Sequence, residues 1–135
     1  MMKNIKKSVI AGALALAMVG TAIPVTANAS TVNNAGTYTT ASMTRTASGS
    51  GTVTGTAKGS NNTNASKYVD VYVKAGTSLA SATIRSSSCG VTNAYGSRST
   101  TAYSISNSHH CYGVSVIHGG ASSSASTIET RIASN

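Results

Sequence analysis

The sequence predicts an all-β fold, a small antiparallel β-sandwich or barrel-like domain of about seven to eight short strands with one disulfide. Apolar and polar residues alternate along several short runs, and turn-forming residues separate those runs. Nothing after the first thirty residues is typical of a helix. Charged residues make up only 9% of the chain, which argues against disorder despite the many serine, threonine and alanine residues.

The first thirty residues have the organisation of a secretory signal peptide. A basic start with three lysines precedes an apolar run from Ile10 to Val19, and the small-residue site Ala27-Asn28-Ala29 follows. This run is shorter than the roughly 20 residues that a membrane-spanning helix needs. We therefore expect residues 1–29 to be removed by cleavage after Ala29, and the mature protein to be secreted. The layout of the leader is typical of bacteria.

We expect residues 30–36 to form a flexible arm and residues 37–135 to form a single domain. The clearest strand runs from Lys67 to Lys74, where three valines on one face alternate with two tyrosines and an aspartate on the other. Further strands are predicted over Ala80–Arg85, Gly113–His118 and Ile128–Ile132, and weaker ones over Thr37–Thr46, Gly51–Lys58, Cys89–Tyr95 and Ser99–Ser106.

The mature chain has few side chains that are large enough to fill a core. It contains no Phe and no Trp, and its one leucine is Leu79. Burial at about 25 cal/mol per Å² must offset the entropy of ordering the chain, and small secreted domains often add a disulfide for this reason. Cys89 and Cys111 are the only cysteines, so we expect them to form a structural bridge that stabilises the fold by about 3 kcal/mol.

The charge distribution limits the classes of partner. The formal charge of +8 falls to +5 once the three leader lysines are removed, and the remaining cations are scattered singly. Because no stretch could follow a phosphate backbone, we do not expect nucleic acid as a partner. An anionic cell-wall polymer or membrane surface would suit this charge, and solubility alone is the other explanation.

The three histidines, His109, His110 and His118, are weak candidates for metal ligands. Adjacent side chains on a strand diverge, and His110 and His118 would lie about 26 Å apart at a rise of about 3.3 Å per residue. Structural zinc takes four ligands and catalytic zinc usually three. We therefore expect neither a metal nor another cofactor, and the histidines are interpreted as strand-edge or loop residues.

Catalysis is not expected. A nucleophilic serine needs a base and an orienting acid beside it, and the mature chain has only Asp70 and Glu129 as acids. The Gly49-Ser50-Gly51 segment lacks the spacing of a nucleophile elbow. The two acids could form a glycosidase pair, but a domain of this size offers little room for a cleft.

Tyr68 and Tyr72 are predicted to lie opposite the core valines, flanked by Lys67 and Lys74. Exposed tyrosines beside polar side chains are a common recognition surface, although such rings could instead pack against a neighbouring strand. These four residues are the candidate binding residues. The sequence therefore favours a secreted, non-enzymatic binding protein for a cell-surface, polymer or protein partner.

A second hypothesis rests on Tyr103-Ser104 followed by His109-His110. Over these residues the chain resembles the small β-sandwich bacteriocins of lactic acid bacteria, without the tryptophan-rich pattern of that family. The resemblance implies a secreted cationic antimicrobial or toxin that acts on other cells. No residue role is transferred from it.

Overall fold

The computed structural model describes residues 29–47 and 51–135, so the predicted signal peptide lies outside the described residues except for Ala29. This part contains nine strands and no helix. The strands are β1 Ala29–Ala35, β2 Thr39–Ala47, β3 Thr52–Asn61, β4 Lys67–Gly76, β5 Thr83–Thr92, β6 Ser97–Ser99, β7 Tyr103–Ser106, β8 His110–His118 and β9 Thr127–Ser134. The prediction of an all-β fold is confirmed, with nine strands in place of seven or eight.

The strands form two antiparallel sheets that pack face to face in a sandwich-like arrangement. Sheet A has the order β1-β2-β3-β6, and β7 also pairs with β3. Sheet B has the order β5-β4-β8-β9. Contacts of β2 and β3 with β4 and β8 join the centres of the two sheets, so the core lies between these four strands.

Strand β4 follows the alternation that the sequence predicts. Val69, Val71 and Val73 are fully buried, while Tyr68 and Tyr72 on the opposite face are half-buried. Successive side chains of a strand point to opposite faces, so the three valines anchor β4 in the core. Its other row of side chains forms part of the outer surface of sheet B.

Small residues compensate for the shortage of large ones in the core. A Cβ added at Gly113 would lie 2.8 Å from the carbonyl oxygen of Ser42 in the facing sheet, and one at Gly59 would lie 2.3 Å from Ser115 Oγ. Both distances are too short for a real contact. The hydroxyls of Thr39 and Ser115 meet at 2.8 Å in the same buried layer. The small residues therefore let the two sheets pack closely, so that few bulky side chains are needed to fill the core.

The predicted flexible arm at residues 30–36 is instead strand β1. It pairs with β2 from Ala29 opposite Thr46 to Ala35 opposite Thr40. Most of its side chains are exposed, so no apolar alternation marks it as a strand. Backbone pairing to β2 and side-chain bonds to β9 hold it, and the sequence pattern reports neither of these.

The first and last strands meet through side chains. The Ser30 hydroxyl donates to the side-chain oxygen of Asn135 at 2.6 Å, and the Asn135 amide donates to the Ser30 carbonyl at 2.7 Å. Asn34 donates to the Ile132 carbonyl at 2.6 Å. The edge between β1 and β9 is thus closed by hydrogen bonds between the two ends of the described chain.

The predicted disulfide is wrong, because Cys89 and Cys111 are both free. Cys89 is exposed and pairs with Asp70 across β5 and β4, on the outer side of sheet B, whereas Cys111 is fully buried in the core. Strand β4 lies between β5 and β8, so their backbones are at least about 9.6 Å apart. A disulfide requires Cα atoms within about 7 Å and side chains that point toward each other.

Candidate binding face

The outer face of sheet B is built around the outward row of β4, which consists of Tyr68, Asp70, Tyr72 and Lys74. Valine and isoleucine side chains of the neighbouring strands extend this row on both sides. The register places Val91 beside Tyr68, Val116 beside Asp70, Val114 beside Tyr72, and Ile132 beside Val114. Val91 and Ile132 are 48% and 38% exposed, so the face keeps apolar surface in contact with solvent.

The four candidate binding residues differ in how free they are. The ring of Tyr68 meets His118 edge-on, with 5.3 Å between the centroids, and Tyr72 is half-buried, which raises its pKa. Lys67 lies at the start of β4 and donates to the Gly119 carbonyl at 2.7 Å. Within residues 29–47 and 51–135, no hydrogen bond or ion pair engages the ammonium group of Lys74.

His118 and Asp70 form a secluded ion pair on this face. His118 Nε2 donates to Asp70 Oδ2 at 2.9 Å, and Nδ1 donates to the Ala125 carbonyl at 2.7 Å. A carbonyl and a carboxylate can only accept, so the geometry favours an imidazolium with a proton on both nitrogens. The Ala125 carbonyl and then Asp70 raise the pKa of His118, although burial opposes them. The side chains are only 10% and 16% exposed.

Cys89 extends this polar network. Burial, followed by a hydrogen bond to Asp70, raises the pKa of its thiol. Burial and then the charge of Asp70 raise the pKa of Tyr72 to about 12. Nucleophilic catalysis by a thiol needs a base in contact with it, but both ring nitrogens of His118 are already engaged with Ala125 and Asp70.

Sequence reasoning missed this network. The partner of Asp70, His118, is 48 residues away in the sequence. The signal that could have found the pair is the register between β4 and β8, which places Val69 opposite Ile117 and therefore Tyr68 beside His118. That register depends on which strands are neighbours, and a single sequence does not specify this.

The three histidines are not brought together. His109 lies in the turn between β7 and β8, His110 begins β8 with its ring 6.2 Å from that of Tyr112, and His118 ends the same strand. Across the part of the chain that the structure describes, no three His, Cys, Asp or Glu side chains are grouped as a metal site requires. The same part contains no helix long and apolar enough to cross a membrane.

Both side-chain carboxylates of the protein are engaged. Asp70 pairs with His118, and Glu129 accepts from the backbone N–H groups of Tyr38 and Thr39 at 2.6 and 3.1 Å and from the Arg131 side chain. Lys58, Lys74 and Arg85 have no charged partner among the described residues. The surface therefore presents unpaired positive charge and no unpaired side-chain carboxylate.

Comparison with protein-family models, curated proteins and solved structures finds no match for this chain. The resemblance to β-sandwich bacteriocins therefore rests only on the residues that suggested it.

Proposed function

We propose that this protein is a secreted, non-enzymatic binding protein that attaches to an anionic cell-surface polymer through the outer face of sheet B. One observation carries the proposal: this face combines tyrosine, valine and isoleucine side chains with an unpaired lysine, in a protein whose acids are both engaged. The leader-like start of the sequence supports an extracellular location.

The aromatic and apolar side chains supply a contact surface for a polymer. Tyr68 and Tyr72 are spaced two residues apart on one strand, so their rings lie on the same side of the sheet. Tyrosine offers an apolar ring together with a polar hydroxyl, which suits partners that are themselves amphipathic. Exposed Val91 and Ile132 widen the surface beyond the two rings.

The charge of this face favours an anionic partner over a neutral one. An unpaired Asp70 at its centre would repel an anion, but His118 neutralises it. Lys74 then adds a positive charge that no described residue offsets. Complementary charge of this kind accelerates binding and excludes cationic partners.

Retention on purified cell-wall material tests the role of the tyrosines. We expect Tyr68→Ala combined with Tyr72→Ala to reduce retention about tenfold or more, because the loss of two rings removes about 1.4 kcal/mol of contact or more. The matched control is Tyr38→Ala combined with Tyr95→Ala, since these exposed rings lie in turns away from the face. Retention of the Tyr68 and Tyr72 variant at the wild-type level, with circular dichroism unchanged, would refute the assignment.

A charge-reversal pair separates a specific face from general attraction. Lys74→Glu and Lys58→Glu change the net charge equally, but Lys58 lies on the outer face of sheet A. We expect only Lys74→Glu to weaken retention strongly. Equal weakening in both variants would show that the total charge of the protein, and not this face, drives binding.

Two further assays decide between classes of partner. Binding to vesicles that contain anionic lipid, without retention on wall polymer, would replace the polymer with a membrane surface. Inhibition of related bacteria at micromolar protein would favour the antimicrobial hypothesis, and unaffected growth would count against it.

A further inference from the structure

A cleft of about 200 Å³ opens at the edge of the sandwich where β5 of sheet B approaches β7 of sheet A. Both are edge strands of their sheets. The residues that line the cleft are Arg85, Tyr103, Ser104, Ile105, Ser106 and His109. None of them belongs to the outer face of sheet B, so the cleft is separate from the proposed binding face.

Side-chain contacts bound the cleft on one side. Further along the same edge, the Arg98 guanidinium donates to the Val91 carbonyl at 3.2 Å, and the hydroxyls of Ser86 and Thr101 meet at 2.9 Å. These contacts join β5 of sheet B to β6 and to the segment that follows it. The cleft is therefore bounded on this side.

A β-bulge sets the position of Arg85. Val73 of β4 pairs with Ser86 and the next residue, Lys74, pairs with Ile84, so Arg85 is the extra residue with no partner in β4. A bulge redirects the side chain of its extra residue, and bulges are common beside functional sites. Here the redirected side chain is an arginine that lines the cleft.

The chemistry of the cleft suits an oxyanion. Arg85 has no hydrogen bond or ion pair with another residue in the described ranges, and neither acid of the protein lines the cleft. A guanidinium presents a planar set of donors that matches phosphate and carboxylate oxygens. Ser104 and Ser106 also line the cleft, and the Ser106 hydroxyl is already 2.8 Å from that of Ser108. Buried Ile105 and the core-packed Tyr103 supply the apolar wall.

We infer that this cleft binds the phosphate or carboxylate group of a small ligand, held chiefly by Arg85. Its volume of about 200 Å³ is smaller than the usual 300 Å³ or more of a drug-sized site. The cleft therefore accepts a single group, and a polymer chain would reach it only through one terminal or pendant unit.

Nuclear magnetic resonance of the ¹⁵N-labelled protein tests this inference, with inorganic phosphate as the probe at constant ionic strength. We expect saturable shifts of the Ser104 and His109 amides and of the Arg85 side-chain N–H. Arg85→Gln should raise the dissociation constant about tenfold or more, since it removes a charge-assisted contact. Lys58→Gln, which loses the same charge on sheet A, should change the constant less than about twofold.

Further measurements identify the class of ligand and separate this proposal from that of the binding face on sheet B. Acetate and glycerol 3-phosphate distinguish carboxylate from phosphate recognition, and Arg85→Lys, which keeps the charge but loses the planar donors, should bind with intermediate affinity. The Tyr68→Ala and Tyr72→Ala variant should keep its affinity for phosphate. The proposal for the sheet B face could then be refuted without refuting the inference about the cleft. Absence of saturable shifts, or equal weakening in Arg85→Gln and Lys58→Gln, would overturn the inference.

Discussion

His118 links the stability of this protein to pH. Its pKa in the fold is raised from 6.5 by the Ala125 carbonyl and by Asp70, so the folded state holds the proton more tightly than the unfolded state does. The resulting stabilisation is fully present below pH 6.5 and is lost as the pH rises through the folded pKa. Burial raises the pKa of Cys89 and Tyr72, which share this network, above their ordinary values of 9.0 and 10.0. These two groups therefore contribute little to the change of stability with pH near neutrality.

Replacing the acid should reduce this dependence, while the hydrogen bond to the Ala125 carbonyl keeps part of it. We expect Asp70→Asn to lower the free energy of unfolding by about 1.5 kcal/mol at pH 6, as for a hydrogen bond to a charged group. Urea denaturation between pH 5.5 and 8.5 measures it. His118→Gln should have a similar effect, and the double variant should lose less than the two single losses added together. Wild-type stability that does not fall as pH increases would contradict the assigned protonation.

The two thiols should both be free and slow to react. Burial raises the pKa of Cys111, with partial opposition from Arg45, and burial and Asp70 raise that of Cys89. Because the thiolate is the reactive form, alkylation of the folded protein at pH 8 should lag behind that of a free cysteine, and Asp70→Asn should accelerate it at Cys89. Mass spectrometry of the unreduced protein measures both. A mass lower by two hydrogens would show that Cys89 and Cys111 form a disulfide after all.

The cysteines also show where sequence reasoning fails at this scale. Pairing them by elimination assumed that a thin core needs a bridge, but the register puts Cys89 and Cys111 on opposite faces of one sheet. Alternation gives the relative faces of residues within one strand. It does not relate the faces of two strands that are separated by a third.

Among the elements, the turn between β1 and β2 depends on a residue of β9. The N–H groups of Thr37, Tyr38 and Thr39 all donate to the Glu129 carboxylate, at 3.2, 2.6 and 3.1 Å. Burial alone would raise the pKa of Glu129, but these donors and Arg131 outweigh it, and the pKa is lowered from 4.5. The stabilisation is therefore present above pH 4.5 and is lost as the pH falls through the folded pKa.

A neutral isostere tests this anchor. We expect Glu129→Gln to lower the free energy of unfolding by about 1.5 kcal/mol at pH 6, because charge-assisted hydrogen bonds become neutral ones. The difference from the wild type should shrink as the pH is lowered from 6 to 3, since the wild-type carboxyl then also becomes neutral. A difference that stays constant over this range would assign the loss to packing. Urea denaturation across these pH values provides the measurement.

Strands were predictable where one face is apolar. The valines of β4 define that strand and its buried face. Strand β5 was predicted as two separate segments because its inward residues, Ser86, Ser88 and Gly90, give no apolar signal, and Arg98 packs on that side. Strand β1 escaped detection for a related reason, since its polar side chains remain exposed.

For the whole molecule, close approach of the sheets replaces bulky side chains. We expect Gly59→Ala to destabilise the fold by about 1 to 3 kcal/mol, as overpacking does, because its Cβ would lie 2.3 Å from Ser115 Oγ. Gly120→Ala is the matched control, since its nearest neighbour would be Ala125 at 3.5 Å. Thermal denaturation of both variants provides the measurement. Equal stability of the two would show that the sheets can separate at no cost.

The candidate sites also divide into features that one strand shows by itself and features that depend on how strands pair. The outward row with Tyr68, Tyr72 and Lys74 could be predicted from one strand, because alternation within β4 fixes its faces. The ion pair of Asp70 with His118 and the cleft at Arg85 could not be, since each joins strands that are distant in sequence. Local pattern thus locates a surface, whereas its electrostatics depend on topology.

The hydrogen bonds between Ser30 and Asn135 join residues 105 positions apart. Strand β9 follows all the other described strands, yet it closes the edge on β1 and carries the Glu129 that anchors the first turn. A chain emerging from the ribosome therefore cannot complete this sandwich until β9 has been made. Pairing of this range also makes folding slow.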